Sequence, residues 1–196
     1  MKVQVKQING NWDLGFVLHK HTIKSEFTGY NESGYPCFNT IRTEPGEALY
    51  QLKYKDDWKQ VNPLAEQLKT TLLPRFGKID LIIPMPASTA REKQPVNELA
   101  NTLGQLTRIP VFENMVVKTP SPHDSKPLKD MHTREEKDAA LAGRFSINQC
   151  IGDKVRGNAL LLDDIFDTGA TMNAACQALR THPSITHVYV AAITWK

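Results

Sequence analysis

Cysteine is scarce in this chain. Cys37, Cys150 and Cys176 are scattered over 196 residues, and no two of them form a CxxC pair. That excludes a zinc ribbon of paired CxxC motifs and a disulfide-stapled scaffold, and it predicts reduced thiols in a cytoplasmic setting. Long apolar runs are missing too. None approaches the ~20 residues of a membrane-spanning helix, and residues 1–6 lack the apolar core of a secretory signal. No membrane partner is therefore expected. Neither sign of charge dominates: 24 Lys and Arg against 21 Asp and Glu leave a net charge of +3. That is too little to specify nucleic acid, and it suits a small anionic substrate equally well. Internal repeats and low-complexity tracts are absent. So are the G-x-x-x-x-G-K-[ST] loop and the G-x-G-x-x-G fingerprint, which argues against a P-loop and a dinucleotide fold.

What is present centres on residues 160–171. An apolar run, Leu160, Leu161 and Leu162, ends in two carboxylates, Asp163 and Asp164; Asp167, Thr168, Gly169, Ala170 and Thr171 follow. Residues 172–179 are rich in good helix formers. The order is buried strand, acidic pair, small polar loop, helix start. A helix start leaves about four backbone N–H groups without partners and carries roughly half a positive charge. Small residues at Thr168, Gly169, Ala170 and Thr171 let a phosphate reach that backbone, and Gly169 can adopt a positive φ at little cost. The threonine hydroxyls can bond phosphate oxygens. Asp163 and Asp164 suit a ribose diol and can hold Mg²⁺ through its water shell. Asp164 and Asp167 stand three apart, not the two apart of an aspartate-nucleophile phosphatase. The plainer alternative is an ordinary strand-to-helix turn with a solvated acidic pair.

Residues 1–45 read differently from the rest. Residues 2–8 alternate polar and apolar as an exposed strand does, and residues 12–20 and 36–42 are also strand-like. Gly29, Asn31, Gly34 and Pro36 punctuate the stretch. We expect a small antiparallel β-rich lobe or hood there, and an α/β domain over residues 46–196. In that domain the patterns predict helices over 47–55, 58–75, 96–106 and 172–179, and strands over 79–83, 144–147, 159–162 and 187–194, with another within 111–118. Thr133, Arg134, Glu135 and Glu136 form a capping box for a short helix that Gly143 ends. Strands alternating with helices imply a parallel sheet.

The run over residues 160–171 resembles the phosphoribosyl pyrophosphate (PRPP) signature of type I phosphoribosyltransferases, in which a hydrophobic strand and two acids precede a T-G-x-T loop. Thr168, Gly169 and Thr171 match that loop. Within that family the chain is similar to the competence protein F (ComF) branch. Residues 48–55 resemble its "hxxLKY" helix, residues 80–86 its "DLIVPVP" strand and turn, and residues 141–145 its "GAF" segment. The likeness covers residues 46–196. The branch's usual zinc ribbon is missing, and of its "RGFNQ" stretch only Asn97 remains.

The resemblance implies a Rossmann-like, parallel-sheet core of the type I phosphoribosyltransferase kind under a hood. It implies a transferase that displaces pyrophosphate from Mg²⁺-bound PRPP with a nitrogen nucleophile, a nucleobase among the candidates. Asp163, Asp164 and Asp167 are then the catalytic candidates, with Mg²⁺ on Asp163 and Asp164 through water. Thr168, Gly169, Ala170 and Thr171 would take the 5′-phosphate. Ala87, Ser88 and Thr89, in the loop after an expected strand, would take pyrophosphate, with Arg91 and Lys93 supplying charge. Residues 119–132 sit where the family has a mobile loop, so Lys126, Lys129 and Arg134 would close over the ligand; a solvated basic loop is the alternative. Family members often form homodimers. Two other classes stay open: a PRPP-binding regulator without chemistry, and an accessory protein of DNA uptake or processing. His19 and His21 would share a strand face but lack a third metal ligand. Trp12, Tyr30, Tyr35 and Phe38 could stack on a base or simply pack, and Trp195 is equally open.

Overall fold

The computed structural model describes residues 1–87, 91–120, 131, 133–150 and 156–196, apart from the side chains of Arg134 and Asp138. Its centre is a five-stranded sheet in the order β1-β2-β9-β8-β5. These strands are β1 (Lys6–Gln7), β2 (Leu14–Lys20), β5 (Leu81–Pro84), β8 (Gly157–Phe166) and β9 (Ile185–Trp195). β5, β8, β9 and β2 run parallel, and β1 pairs antiparallel with β2 on one edge. A parallel sheet buried on both faces needs near-continuous apolar strands. Leu160, Leu161 and Leu162 in β8 meet that need, as do Val190, Ala191, Ala192 and Ile193 in β9.

Helices cover both faces. Leu160 and Leu162 join one core with Leu49 and Leu52 of α1 (Glu44–Tyr54), Leu64 of α2 (Val61–Gln67) and Leu99 and Leu103 of α3 (Pro95–Thr107). Ala159 and Leu161 face the other core, with Met172, Ala175, Cys176 and Leu179 of α5 (Ala170–Leu179). The period-two alternation of a strand sorts neighbouring residues into these two layers. α4 (Arg134–Leu141) packs on α5. Its Thr133 and Glu136 form the expected capping box, and Gly143 follows it at φ +68°.

The long helix expected over residues 58–75 is four short pieces. A 3₁₀ turn precedes α2, and a π turn (Leu68–Leu72) and a second 3₁₀ turn (Leu73–Arg75) continue it. Pro74 lacks an N–H for the regular ladder, and the Leu73 N–H reaches back to the Leu68 carbonyl instead.

The N-terminal strands also differ from expectation. Residues 1–45 do contain antiparallel pairs: β1 with β2, and β3 (Thr22–Tyr30) with β4 (Pro36–Arg42). But β2 also joins the central sheet, parallel to β9 from Leu14 opposite Tyr189 to Lys20 opposite Trp195. Only the β3–β4 hairpin forms a sheet of its own there. Thr43 links its base to α1. The Thr43 hydroxyl donates to the Lys20 carbonyl at 2.6 Å and accepts the Gly46 N–H at 3.1 Å. Thr43→Ala is expected to cost about 1 kcal/mol, read as a lower midpoint in urea unfolding with an unchanged slope.

β6 (Val116–Lys118) and β7 (Phe145–Ile147) were expected in the parallel sheet but form a separate antiparallel ribbon. The cause lies at Pro84. The Ile82 N–H donates to the Pro110 carbonyl, and the Phe112 N–H donates to the Ile82 carbonyl, so Val111 starts a parallel bridge beside β5. The next donor in that ladder would be residue 84, and proline has none. The chain leaves the edge, and β6 finds β7.

Candidate active site

In parallel sheets ligands bind beyond the carboxyl ends of the strands. Here β5 stops at Pro84, opposite Leu162, whereas β8 continues to Phe166 beside β9. Asp163, Asp164, Ile165 and Phe166 therefore lie on strand that has lost its neighbour on one side. The sequence suggested an acidic pair just after the strand; the pair lies within it. A cavity of about 1070 Å³ opens there, lined by Asp163, Asp164, Asp167, Thr168, Gly169, Ala170 and Thr171.

The strand pleat sends the two acids opposite ways. Asp164 lies toward α1, where its carboxylate takes a salt bridge from Lys53 at 2.6 Å. Asp163 accepts the Asp164 N–H at 2.8 Å and feels the charge of Lys118 on β6. Burial, then the neighbouring Asp164 charge, push the Asp163 carboxyl up to about 7, although Lys53 and Lys118 draw it down. Lys118 is held below the usual lysine range, chiefly by burial and then by Arg144, with Asp163 opposing.

The loop after β8 has the backbone form expected of it. Gly169 sits at φ +81° at the head of α5 and has no side chain to cap it, while the Thr168 hydroxyl accepts the Ala170 N–H at 3.5 Å. A Cβ on Gly169 would lie 3.0 Å from the Phe166 ring and 3.6 Å from Trp12. Trp12 meets Phe166 edge-to-face at 6.2 Å, and its indole N–H donates to the Ile8 carbonyl at 3.0 Å. Trp12 thus packs beneath the loop rather than offering a stacking face. Asp167 is exposed, with Lys137 of α4 at 3.6 Å.

Five cationic side chains line the cavity among the described residues: Lys53, Arg91, Lys118, Lys137 and Arg144. Arg91 was named from the sequence, and it also donates to the Lys53 carbonyl at 2.8 Å. Lys93, named with it, turns away onto the Trp58 ring and Glu98. Lys118, Lys137 and Arg144 carried no signal of their own. Lys53 and Arg144 lie in stretches quoted for the family likeness, but no role was read into either. Arg144 places two guanidinium donors on the Thr119 carbonyl, which ties the ends of the β6–β7 ribbon together.

Of the residues expected to take pyrophosphate, Ala87 lines the cavity. Ser88 and Thr89 lie outside the described residues, as do Lys126 and Lys129 and the side chain of Arg134. His19 stacks on Trp195, and His21 bonds the Thr194 hydroxyl at 3.0 Å. Among the described residues no group of three or more His, Cys, Asp and Glu side chains could hold a metal ion. The hard oxygens of Asp163 and Asp164 fit instead an ion that keeps most of its waters and arrives on substrate phosphates, the usual mode for Mg²⁺. No helix among the described residues is long and apolar enough to cross a membrane.

No model of a known protein family matches the chain, and no curated protein matches it in sequence. Solved structures match in shape. Adenine phosphoribosyltransferase from Trypanosoma brucei gives a TM-score of 0.48 at 12% identity, over 100% of this chain and 76% of that one. Adenine phosphoribosyltransferase from Leishmania tarentolae gives 0.48 at 11% identity, over 98% and 95%. UMP synthase from Leishmania donovani gives 0.40 at 15% identity over 87% of this chain, which spans 28% of that protein's length.

Proposed function

We propose that the protein is a phosphoribosyltransferase, which binds PRPP with Mg²⁺ and transfers its phosphoribosyl group to a nitrogen nucleophile. One observation carries the reading. The start of α5, with Gly169 at positive φ, opens into the same cavity as the Asp163–Asp164 pair and the five cations. A helix start suits a phosphate, paired carboxylates suit a ribose diol, and a ring of cations suits a highly charged anion.

In this reading the 5′-phosphate rests on the backbone of residues 168–171, with the Thr168 and Thr171 hydroxyls beside it. Asp163 and Asp164 hold the ribose hydroxyls, and their charge favours the positive character that develops on the sugar. Pyrophosphate lies toward Ala87, Ser88, Thr89 and Arg91. Lys126 and Lys129, the expected covering cations, lie outside the described residues, and Arg134 opens α4. The bond from C1 to the pyrophosphate oxygen breaks, a bond from C1 to nitrogen forms, and the nitrogen's proton passes to a base. Asp167 is the candidate for that base, held by Lys137. Mg²⁺, when bound, lowers the cost of charge on the leaving pyrophosphate. Anchoring the distant phosphate supplies binding energy that orients the reacting carbon.

The narrower kinship with the competence protein F branch is part of the proposal. It is supported by where its three stretches fall: Lys53 on α1, Met85 and Pro86 in the turn after β5, and Leu141 and Arg144 of the 141–145 segment all line the cavity.

The test is calorimetric titration of Mg²⁺–PRPP, followed by a screen of purines, pyrimidines and ammonia for pyrophosphate release. Saturable binding and release with one acceptor are the expected results. Binding without release from any acceptor would make the protein a PRPP-responsive regulator. No heat at millimolar PRPP would remove the reading, and a salt-dependent DNA shift assay would then test the uptake or processing class.

A further inference from the structure

A displacement at C1 has a direction: the nucleophile enters opposite the leaving group, in line with the bond that breaks. The transfer reading above, on which this step rests, puts pyrophosphate by the loop after β5, beside Ala87 and Arg91. The sheet order β2-β9-β8-β5 then leaves the acceptor on the other side of Asp163 and Asp164, over the ends of β9 and β2.

Cations gather there. His21 follows the last residue of β2. Its N–H donates to the Trp195 carbonyl at 2.8 Å, its carbonyl accepts the Thr43 N–H at 3.3 Å, and its ring bonds the buried Thr194 hydroxyl. These bonds bring in Lys196 and Arg42, the chain neighbours of Trp195 and Thr43. The Arg42 guanidinium lies 3.7 Å from the centre of the Tyr50 ring of α1, and Lys53 stands about one turn further along that helix. Burial first, then the charges of Arg42, Lys196 and Lys53, hold the His21 imidazole below its ordinary range, and Asp164 opposes them. The cluster adjoins the cavity, because Ile165, which lines it together with Lys53, pairs with Thr194.

Neither Arg42 nor Lys196 lines the cavity in which the phosphates of PRPP are placed, so a different anion suits them. Arg42 and Lys53 can both change partners. Glu47, 3.3 Å from Arg42, also accepts the Gln51 amide at 2.6 Å and keeps that bond if Arg42 turns to a ligand. Asp164, 2.6 Å from Lys53, is a carboxylate that the transfer reading gives to the ribose hydroxyls. We propose that the acceptor is itself an anion: a nitrogen heterocycle or arylamine that carries a carboxylate, lying against Ile165 with the carboxylate toward Arg42 and Lys53. A guanidinium fork matches a carboxylate with two parallel hydrogen bonds, and the Tyr50 ring against it limits its freedom. A neutral base gives these charges no partner. The acceptor nitrogen supplies the electron pair of the new C1–N bond, and pyrophosphate leaves with that of the C1–O bond. A proton on that nitrogen, where there is one, passes to the base.

The test sets pyridine, pyrimidine and aminobenzene carboxylates against their carboxamides, with adenine, uracil and ammonia alongside. Calorimetry first establishes Mg²⁺–PRPP binding, and pyrophosphate release is then measured with each acceptor. One carboxylate is expected to exceed its carboxamide about a hundred-fold in kcat/KM. Arg42→Gln should raise KM for that carboxylate roughly thirty-fold, with kcat, Mg²⁺–PRPP affinity and the carboxamide reaction little changed. Arg42→Lys should recover part of the loss. A higher kcat/KM for adenine, uracil or ammonia than for every carboxylate overturns the inference. So does an equal loss with carboxylate and carboxamide in Arg42→Gln, since Arg42 would then serve only the fold. PRPP binding with no release from any carboxylate also overturns it and leaves the PRPP site standing, whereas no PRPP binding removes both.

Discussion

Gly169→Ala is expected to weaken PRPP binding at least ten-fold while leaving most of the fold intact. Two costs coincide at that residue. A φ of +81° is one that an alanine adopts only at roughly 1–2 kcal/mol. The new Cβ would also lie 3.0 Å from the Phe166 ring, with Trp12 behind it. Phe166 is the last residue of β8, opposite Trp195, and its ring is also held edge-to-face by Trp12. The loop must move instead, and with it the first N–H groups of α5. Calorimetry on the variant reads the loss of affinity, and thermal unfolding reads the smaller loss of stability. A variant with wild-type affinity would mean that phosphate does not sit on this loop.

Asp163→Asn is expected to make the protein more stable above neutral pH and poorer at binding PRPP. Burial and the Asp164 charge raise the Asp163 carboxyl from an ordinary 3.8 to about 7. Between those values the folded protein holds a proton that the unfolded chain has released. The stability due to that proton is complete below pH 4 and is lost as pH rises through about 7. An asparagine can still accept the Asp164 N–H but has no charge to bury. At pH 8 the variant should gain roughly 2 kcal/mol, a rise in Tm of several degrees, and at pH 5 the two proteins should nearly coincide. Affinity for Mg²⁺–PRPP should fall about ten- to a hundred-fold, as when a charged hydrogen-bond partner is removed. In the wild type at pH 7, PRPP binding should release protons as Asp163 ionises, seen as a heat that depends on the buffer. Equal pH profiles for the two proteins would place the titrating group elsewhere.

The heart of the candidate site was legible because its residues are local in the chain. Three leucines, two acids, a glycine that takes positive φ and a helix start are consecutive in the chain, and each is recognisable by residue type. The capping box at Thr133 was legible for the same reason. Lys118, Lys137 and Arg144 were not, because an isolated cation on a strand or short helix reads as a solvated face until the fold brings several together. The reach of β8 was hidden as well. Nothing in Asp163 or Asp164 reveals that β9 still pairs beside them while β5 has ended. The partner of β2 was equally silent, since its own residues do not say which strand it adds to. The departure of β6 from the sheet did have a signal, Pro84, but its meaning required knowing that Val111 lies next to Ile82.

That departure has a mechanical consequence. Lys118 and Arg144 are carried by a ribbon whose ladder bonds are all internal, none of them shared with the central sheet. What holds the ribbon in place is packing, with Met115 and Val116 buried against Leu81, Leu161 and α5. Two of the cations around the cavity are therefore placed by side-chain packing, while the acids they face are placed by the ladder of the central sheet.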